Sequence, residues 1–213
     1  MKTWTTIAVL FIGASAACSQ HAEDDKRKTS DKVVGGGCEG CEAIFESGER
    51  RLTAVDTLPD FNEAGQKLEI SGTIYQRDGK TPAKDVILYV YHTDQTGQYP
   101  RKGNEKGWGT RHGYIRGWIK TNADGKYKFY TLKPGAYPQG GNPAHIHPTI
   151  KEPGIKEYWI DEFLFEGDPF LTGAGLKNLQ NRGGSGILKT TSDQQGMLIA
   201  KRDIILGLHV PGY

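Results

Sequence analysis

Two histidines separated by one residue, His145 and His147, are the first place in this chain where side chains of suitable type and spacing could share an ion. Residues two apart on an extended strand project from the same face, so both imidazoles can reach one point. A pair of surface histidines is the competing reading of that spacing alone. Tyr137 stands eight residues upstream in Pro134-Gly135-Ala136-Tyr137-Pro138, a turn whose rigid flanks fix where the ring points. Tyr99 ends Thr93-Asp94-Gln95-Thr96-Gly97-Gln98-Tyr99, just past an apolar run. A single tyrosine is more often packing than ligand. Two phenols joined to two imidazoles, however, make a hard donor set. A phenol has a pKa of about 10, so only a strongly Lewis-acidic ion keeps it ionised at neutral pH.

The elements that must carry these residues are strands. Leu68-Glu69-Ile70-Ser71-Gly72-Thr73-Ile74-Tyr75 alternates with period two and stops at Asp78-Gly79-Lys80, a turn sequence. Val86-Ile87-Leu88-Tyr89-Val90-Tyr91-His92 is a β-branched and aromatic run, expected as a strand buried on both faces. A long glycine-rich stretch follows over residues 96–113, with Trp108 inside it. Further strands are expected at 114–120, 126–130, 145–150, 158–165, 186–190 and 197–206, with a hairpin turn at Asn122-Ala123-Asp124-Gly125. Helix is limited to a turn or two near residues 171–181. Short strands separated by turn signals, with 29 glycines and 10 prolines, predict an all-β fold, a β-sandwich.

The N-terminus reads as an address. Lys2 precedes the short apolar run Ile7-Ala8-Val9-Leu10-Phe11-Ile12, and Ala14-Ser15-Ala16-Ala17 leads into Cys18. The run is too short to span a bilayer as a permanent helix. Small residues directly before a cysteine are similar to a bacterial lipoprotein signal, although Ser15 stands where that pattern usually has leucine. Residues 1–17 are therefore expected as a signal peptide, with Cys18 as the acylated membrane anchor. A plainly secreted chain is the alternative, and both readings place the protein outside the cytoplasm, in the periplasm or on the outer membrane. Residues 18–37 are polar and end in three glycines, which predicts a flexible tether before a domain at 38–213. Cys38 and Cys41 allow a disulfide, a zinc half-site or a redox pair. An exported chain with no second cysteine pair favours a local disulfide. With 27 basic and 25 acidic residues, the charge of +2 is too balanced to suggest a nucleic-acid partner.

Four segments in order, Gly97-Gln98-Tyr99, Lys133-Pro134-Gly135-Ala136-Tyr137-Pro138, Pro143-Ala144-His145-Ile146-His147 and Phe165-Glu166-Gly167-Asp168-Pro169, resemble the intradiol ring-cleavage dioxygenases. The protocatechuate-type branch and its small exported relatives match best, over residues 68–206. The resemblance implies Fe(III) held by Tyr99 and His145 as equatorial ligands and by Tyr137 and His147 as axial ones. It implies a catechol-type substrate opened by O2 between its two hydroxyl-bearing carbons, with Tyr137 as the ligand that leaves and accepts a substrate proton. Family members form dimers or larger assemblies, so a homo-oligomer is implied, although the sequence itself offers no interface signal.

Two positions depart from the family pattern. Asn142 stands where many members have an arginine close to substrate, and an amide can hydrogen-bond developing charge without neutralising it. Glu162 stands where protocatechuate-type members often have glutamine. Its carboxylate could orient a ligand histidine and disfavour an acidic aromatic substrate, or be a solvated strand residue. Trp108, Tyr114 and Arg116 are candidate pocket-wall residues and equally ordinary sheet residues. The main rival reading is a non-catalytic transthyretin-like binding or adhesion module, which shares the turns but needs no His-x-His after Tyr137. A cupin using His145, His147 and Glu152 is the other, weakened because Glu152-Pro153-Gly154 reads as a turn.

Overall fold

The computed structural model describes Met1 and residues 31–213; the expected signal segment after Met1, Cys18 and most of the tether lie outside the described residues. Among the described residues, twelve strands form two six-stranded sheets. They are β1 (Val55–Thr57), β2 (Lys67–Tyr75), β3 (Ile87–His92), β4 (Arg116–Lys120), β5 (Lys126–Leu132) and β6 (His145–Lys151). The shorter ones are β7 (Tyr158–Trp159), β8 (Phe163–Phe165), β9 (Ile187–Leu188), β10 (Thr191–Ser192), β11 (Leu198–Lys201) and β12 (Ile204–Ile205). One sheet runs β1-β5-β2-β11-β10 with β12 beside β2, and the other runs β4-β3-β6-β8-β9 with β7 beside β6. The all-β sandwich expected from the turn-rich sequence is the fold.

The core lies between the sheets. Leu68 and Ile70 of β2 meet Leu88, Val90, Ile146 and Ile150 of β3 and β6, all fully buried. Phe129 and Phe163 cross edge-on with centroids 5.8 Å apart. Burial of each such ring contributes about 1.5–3 kcal/mol. Tyr89 and Trp118 point to the other face of the second sheet, where the 3-10 turn Cys41–Phe45 covers them through Ala43 and Ile44.

Three expectations need correction. The run 197–206 is two strands, β11 and β12, because the chain turns inward at Arg202 and Asp203. Asp203 Oδ1 accepts the Thr73 amide at 2.8 Å, and the Arg202 carbonyl accepts the Tyr127 hydroxyl at 2.7 Å. Gly72 permits this, since a Cβ there would overlap the Arg202 carbonyl oxygen. The run 158–165 also divides, because the Asp161 carboxylate turns to cap the amides of Asn181 and Arg182 at 2.7 and 3.1 Å. Finally, residues 31–37, read as the end of the tether, are packed on the domain. Val34 is 4% exposed, the Lys32 amide bonds the Gly154 carbonyl at 2.9 Å, and Arg182 Nη1 donates to the Gly35 carbonyl at 2.9 Å. Polar composition hid this strap because backbone bonds and one valine hold it.

Besides the 3-10 turn, helix among the described residues is limited to α1 (Gly109–His112), inside the glycine-rich stretch, and α2 (Gly173–Lys177), within the expected region. Neither is long and apolar enough to cross a membrane.

Candidate metal centre

β6 lies inside its sheet, between β3 and β8. Its alternation sends Ile146 into the core and leaves His145 and His147 together on the opposite face, as the period of two requires. The two tyrosines come from loops that are fastened to each other. Asp94 Oδ1 accepts the amides of Thr96 and Gln98 at 2.8 and 3.1 Å, shaping the turn that ends at Tyr99. The Gly135 amide donates to the Asp94 carbonyl at 2.8 Å, and Thr93 Oγ1 donates to the Gly135 carbonyl at 3.0 Å. Gly97, with φ of +77°, lies so close to the Ala136 carbonyl that a Cβ would overlap it. The loop bearing Tyr99 is thereby keyed to the loop bearing Tyr137.

The four side chains converge. Tyr99 Oη lies 2.7 Å from Tyr137 Oη and 2.9 Å from His147 Nε2. His145 Nε2 lies 3.2 Å from Tyr137 Oη and 3.0 Å from His147 Nε2. These contacts close a ring of four polar atoms. The outer imidazole nitrogens are engaged elsewhere: His145 Nδ1 donates to the Pro143 carbonyl at 2.7 Å, and His147 Nδ1 faces Glu162 Oε1 at 3.3 Å. With a proton on each Nδ1, both Nε2 atoms present lone pairs to one another, and the ring of four contacts has only the two phenolic hydrogens to share. A cation at the centre satisfies all four atoms at once.

Burial pushes the Tyr99 hydroxyl above the ordinary phenol value, and the neighbouring Tyr137 adds to the shift. Burial raises Tyr137 too, against a lowering hydrogen bond from Tyr99. His145 is held below the usual imidazole value by burial and by His147. Neutral imidazoles are what a metal requires, whereas ionised phenols in this setting require a cation beside them. The donor set fits Fe(III), because two phenolate oxygens and two imidazole nitrogens favour a hard trivalent ion.

Several neighbours were not singled out in the sequence. Tyr91, opposite His147 in the β3–β6 ladder, stacks on that imidazole at 4.6 Å with 17° between planes. Its other neighbour, His112, stacks at 3.7 Å and meets the Tyr89 hydroxyl through Nδ1 at 2.9 Å. Cross-strand register would have paired Tyr91 with His147 had the β3–β6 alignment been known. Glu162 is the carboxylate considered for orienting it, and it meets Nδ1: burial opposes its ionisation, yet the hydrogen bond from His147 holds it below the ordinary value. It faces Nδ1, while the other donors meet at Nε2, so it lies outside the ring of four.

The remaining candidates are more dispersed. Asn142 is exposed in the loop between Tyr137 and β6. Trp108 stacks on His112 at 5.4 Å and lines a cavity of about 230 Å³ that opens on Tyr99. Tyr114 and Arg116 line a different cavity, where Tyr114 donates to Glu63 and Arg116 pairs with Glu46 at 2.6 Å. Cys38 and Cys41 are bonded to each other. Glu152 accepts hydroxyls from Tyr158 and Tyr213 at 2.7 and 2.9 Å, an engagement that removes the cupin reading.

A family model described as dioxygenase, Dioxygenase_C, matches residues 44–196. The chain belongs to the intradiol ring-cleavage dioxygenase family. Among curated relatives of this chain, the protocatechuate 3,4-dioxygenase beta chain of Burkholderia cepacia is 28% identical over 113 residues, covering 50% of this chain and 48% of that one. Catechol 1,2-dioxygenase 1 of Acinetobacter lwoffii is 33% identical over 139 residues, covering 56% and 42%. The chain thus spans about half the length of the curated relatives it matches. The fold is similar to the dioxygenase domain of a dioxygenase carbohydrate-binding protein fusion from Streptomyces sp. SirexAA-E (TM-score 0.56, 24% identity, 76% of this chain and 94% of that one). It is also similar to an intradiol ring-cleavage dioxygenase from Tetranychus urticae (TM-score 0.54, 19% identity, 83% and 93%).

Proposed function

We propose that this chain is an iron(III)-dependent intradiol dioxygenase that opens a catechol-type ring with O2 between its two hydroxyl-bearing carbons. The observation that supports this most is the ring of four donor atoms with too few protons to satisfy it. Tyr99, Tyr137, His145 and His147 would hold the ion. Bound ferric iron would supply Lewis acidity toward the catechol oxygens and draw electron density from the ring toward the metal.

The chain's own residues would do the rest. Tyr137, whose 3.2 Å contact with His145 is the longest of the four in the ring, would release its position and take a catechol proton at Oη. Tyr99 stays, locked between Tyr137 and His147. The Pro143 carbonyl and Glu162 hold the two imidazoles in the tautomer that presents Nε2, and Tyr91 fixes the plane of His147. Asn142 would offer an amide hydrogen bond to charge developing on the substrate.

The reading includes export, with residues 1–17 as signal peptide and Cys18 as lipid anchor, and the assembly proposed is a homo-oligomer. The test is oxygen uptake with a panel of catechols and isotopically labelled O2, followed by product mass. A ring-opened diacid carrying both labelled atoms is expected. Uptake without a doubly labelled product would overturn the proposal.

A further inference from the structure

We infer that the cavity beside His147 selects catechols whose ring substituent is uncharged, against catechols that carry a carboxylate. The inference rests on the ferric catechol reading above. The cavity holds about 400 Å³ and opens on His147 and Glu162. One wall is the segment 37–41 that follows the strap, and the facing wall is 178–180; Tyr91, Trp159 and Ile160 supply apolar surface between them. That volume falls within the roughly 300–1,000 Å³ of sites that bury drug-sized ligands, so it accepts more than the ring being cleaved. A substituent on a catechol held at the four donors would enter this space past His147, the donor that lines it.

The charges around this space have one sign. Glu39, Asp161 and Glu162 line it, and among the described residues no lysine or arginine does. Asp161 is engaged by the amides of Asn181 and Arg182. Glu162 keeps 44% of its side chain exposed, and Glu39 keeps 74%. The nearby cations among the described residues already have partners. Arg111 pairs with Glu39, and Lys151 pairs with Asp31 at 3.0 Å. Arg182 stacks over the Trp159 ring at 3.5 Å and donates to the Gly35 carbonyl and to Gln180 Oε1. Asn142, the departure nearest the ligand histidines in sequence, adds no charge.

A substrate carboxylate placed here would lose water, find no lysine or arginine among the described lining residues and face the carboxylates of Glu39 and Glu162. Burying a charge on those terms is unfavourable. A neutral group of the same size loses little water and packs on Trp159 and Tyr91. The specificity is therefore set by two carboxylates on a wall whose described residues include no lysine or arginine.

A matched pair of ligands isolates the charge: 3,4-dihydroxybenzoate and its amide, 3,4-dihydroxybenzamide. Each is titrated without O2 into the ferric protein, and the change in the visible spectrum gives a dissociation constant. The amide is expected to bind about tenfold tighter, the scale of one like charge in a partly screened site. In Glu39→Gln, which removes a carboxylate and frees Arg111, the preference should shrink toward parity, and Glu162→Gln should move it the same way. Equal or tighter binding of the benzoate by the parent protein overturns the inference. So does a ferric band that neither ligand perturbs, an outcome that leaves the iron site itself standing. Failure to form any ferric band overturns the functional reading, and this inference with it.

Discussion

Replacing Gly97 by alanine probes how the fold brings the two tyrosines together. Gly97 has φ of +77°, and an L-residue there costs about 1–2 kcal/mol in backbone conformation. The added methyl also meets the Ala136 carbonyl and the Pro138 ring. The loops of Tyr99 and Tyr137 must then part, weakening the bonds from the Gly135 amide to Asp94 and from Thr93 to the Gly135 carbonyl, at about 1 kcal/mol each. A loss of about 3–4 kcal/mol follows, which lowers Tm by roughly 10 °C in a chain of this size. Gly141→Ala is the control. Its φ is +87°, but nothing lies within 4 Å of the added carbon, so only the backbone cost of about 1–2 kcal/mol applies. Denaturant unfolding of the metal-free variants is paired with ferric titration followed in the visible. Gly97→Ala should lose ferric affinity by about tenfold or more, because a small displacement of ligands is costly; Gly141→Ala should keep it. Equal stability loss in both variants, with parental ferric affinity in Gly97→Ala, would refute the keyed-loop account.

Three other outcomes follow from the same geometry. Tyr137→Phe removes the proposed internal base and should reduce kcat by about 100-fold or more, measured by oxygen uptake at saturating catechol. Glu162→Ala should weaken ferric binding about 10- to 100-fold, while Glu162→Gln, which keeps an acceptor for His147 Nδ1, should weaken it less; competition with a chelator reads both. Stability should fall in mild acid. His92 is pushed down from 6.5 to about 4, chiefly by burial, so the unfolded chain takes up a proton there that the folded chain refuses. That contribution is complete above about pH 6.5 and drains as pH falls toward 4, by at most about 3 kcal/mol. His112, also pushed down to about 4 chiefly by burial, acts in the same direction, and Asp60, raised by burial, offsets part of the loss. Denaturant midpoints of the metal-free protein at about pH 7.5 and pH 5 check this, with His92→Gln losing less than its parent.

The longer strands were legible because they carry their own pattern. Leu68, Ile70 and Ile74 alternate, and the β-branched run of β3 and the turns at Asp78-Gly79 and Asp124-Gly125 bound what lies between. His145 and His147 were legible for the same reason, since a period of two places them together without knowledge of the rest. What escaped depends on contacts distant in sequence. Strands β7, β9, β10 and β12 have two residues each, too few to show a period. β1 exists because it pairs in parallel with β5 across more than seventy residues, and nothing in Val55-Asp56-Thr57 announces that. The strap at 31–37 looked like solvent-loving chain, because its attachment is through backbone amides, Val34 and a buried Arg182. The stack of Tyr91 on His147 needed the β3–β6 register, and the hold of Glu162 on Nδ1 needed the packing of the 160–162 break against β6.

The central claim is that two phenols and two imidazoles share one ferric ion. Its most direct measurement is the visible spectrum of the protein titrated with Fe(III), for the parent and for Tyr99→Phe and Tyr137→Phe. One ion per chain, a strong phenolate-to-iron absorption in the parent, and a shifted or weakened band in each variant are the predicted result. Stoichiometric iron with no visible band, or a band unchanged in both variants, would contradict the account.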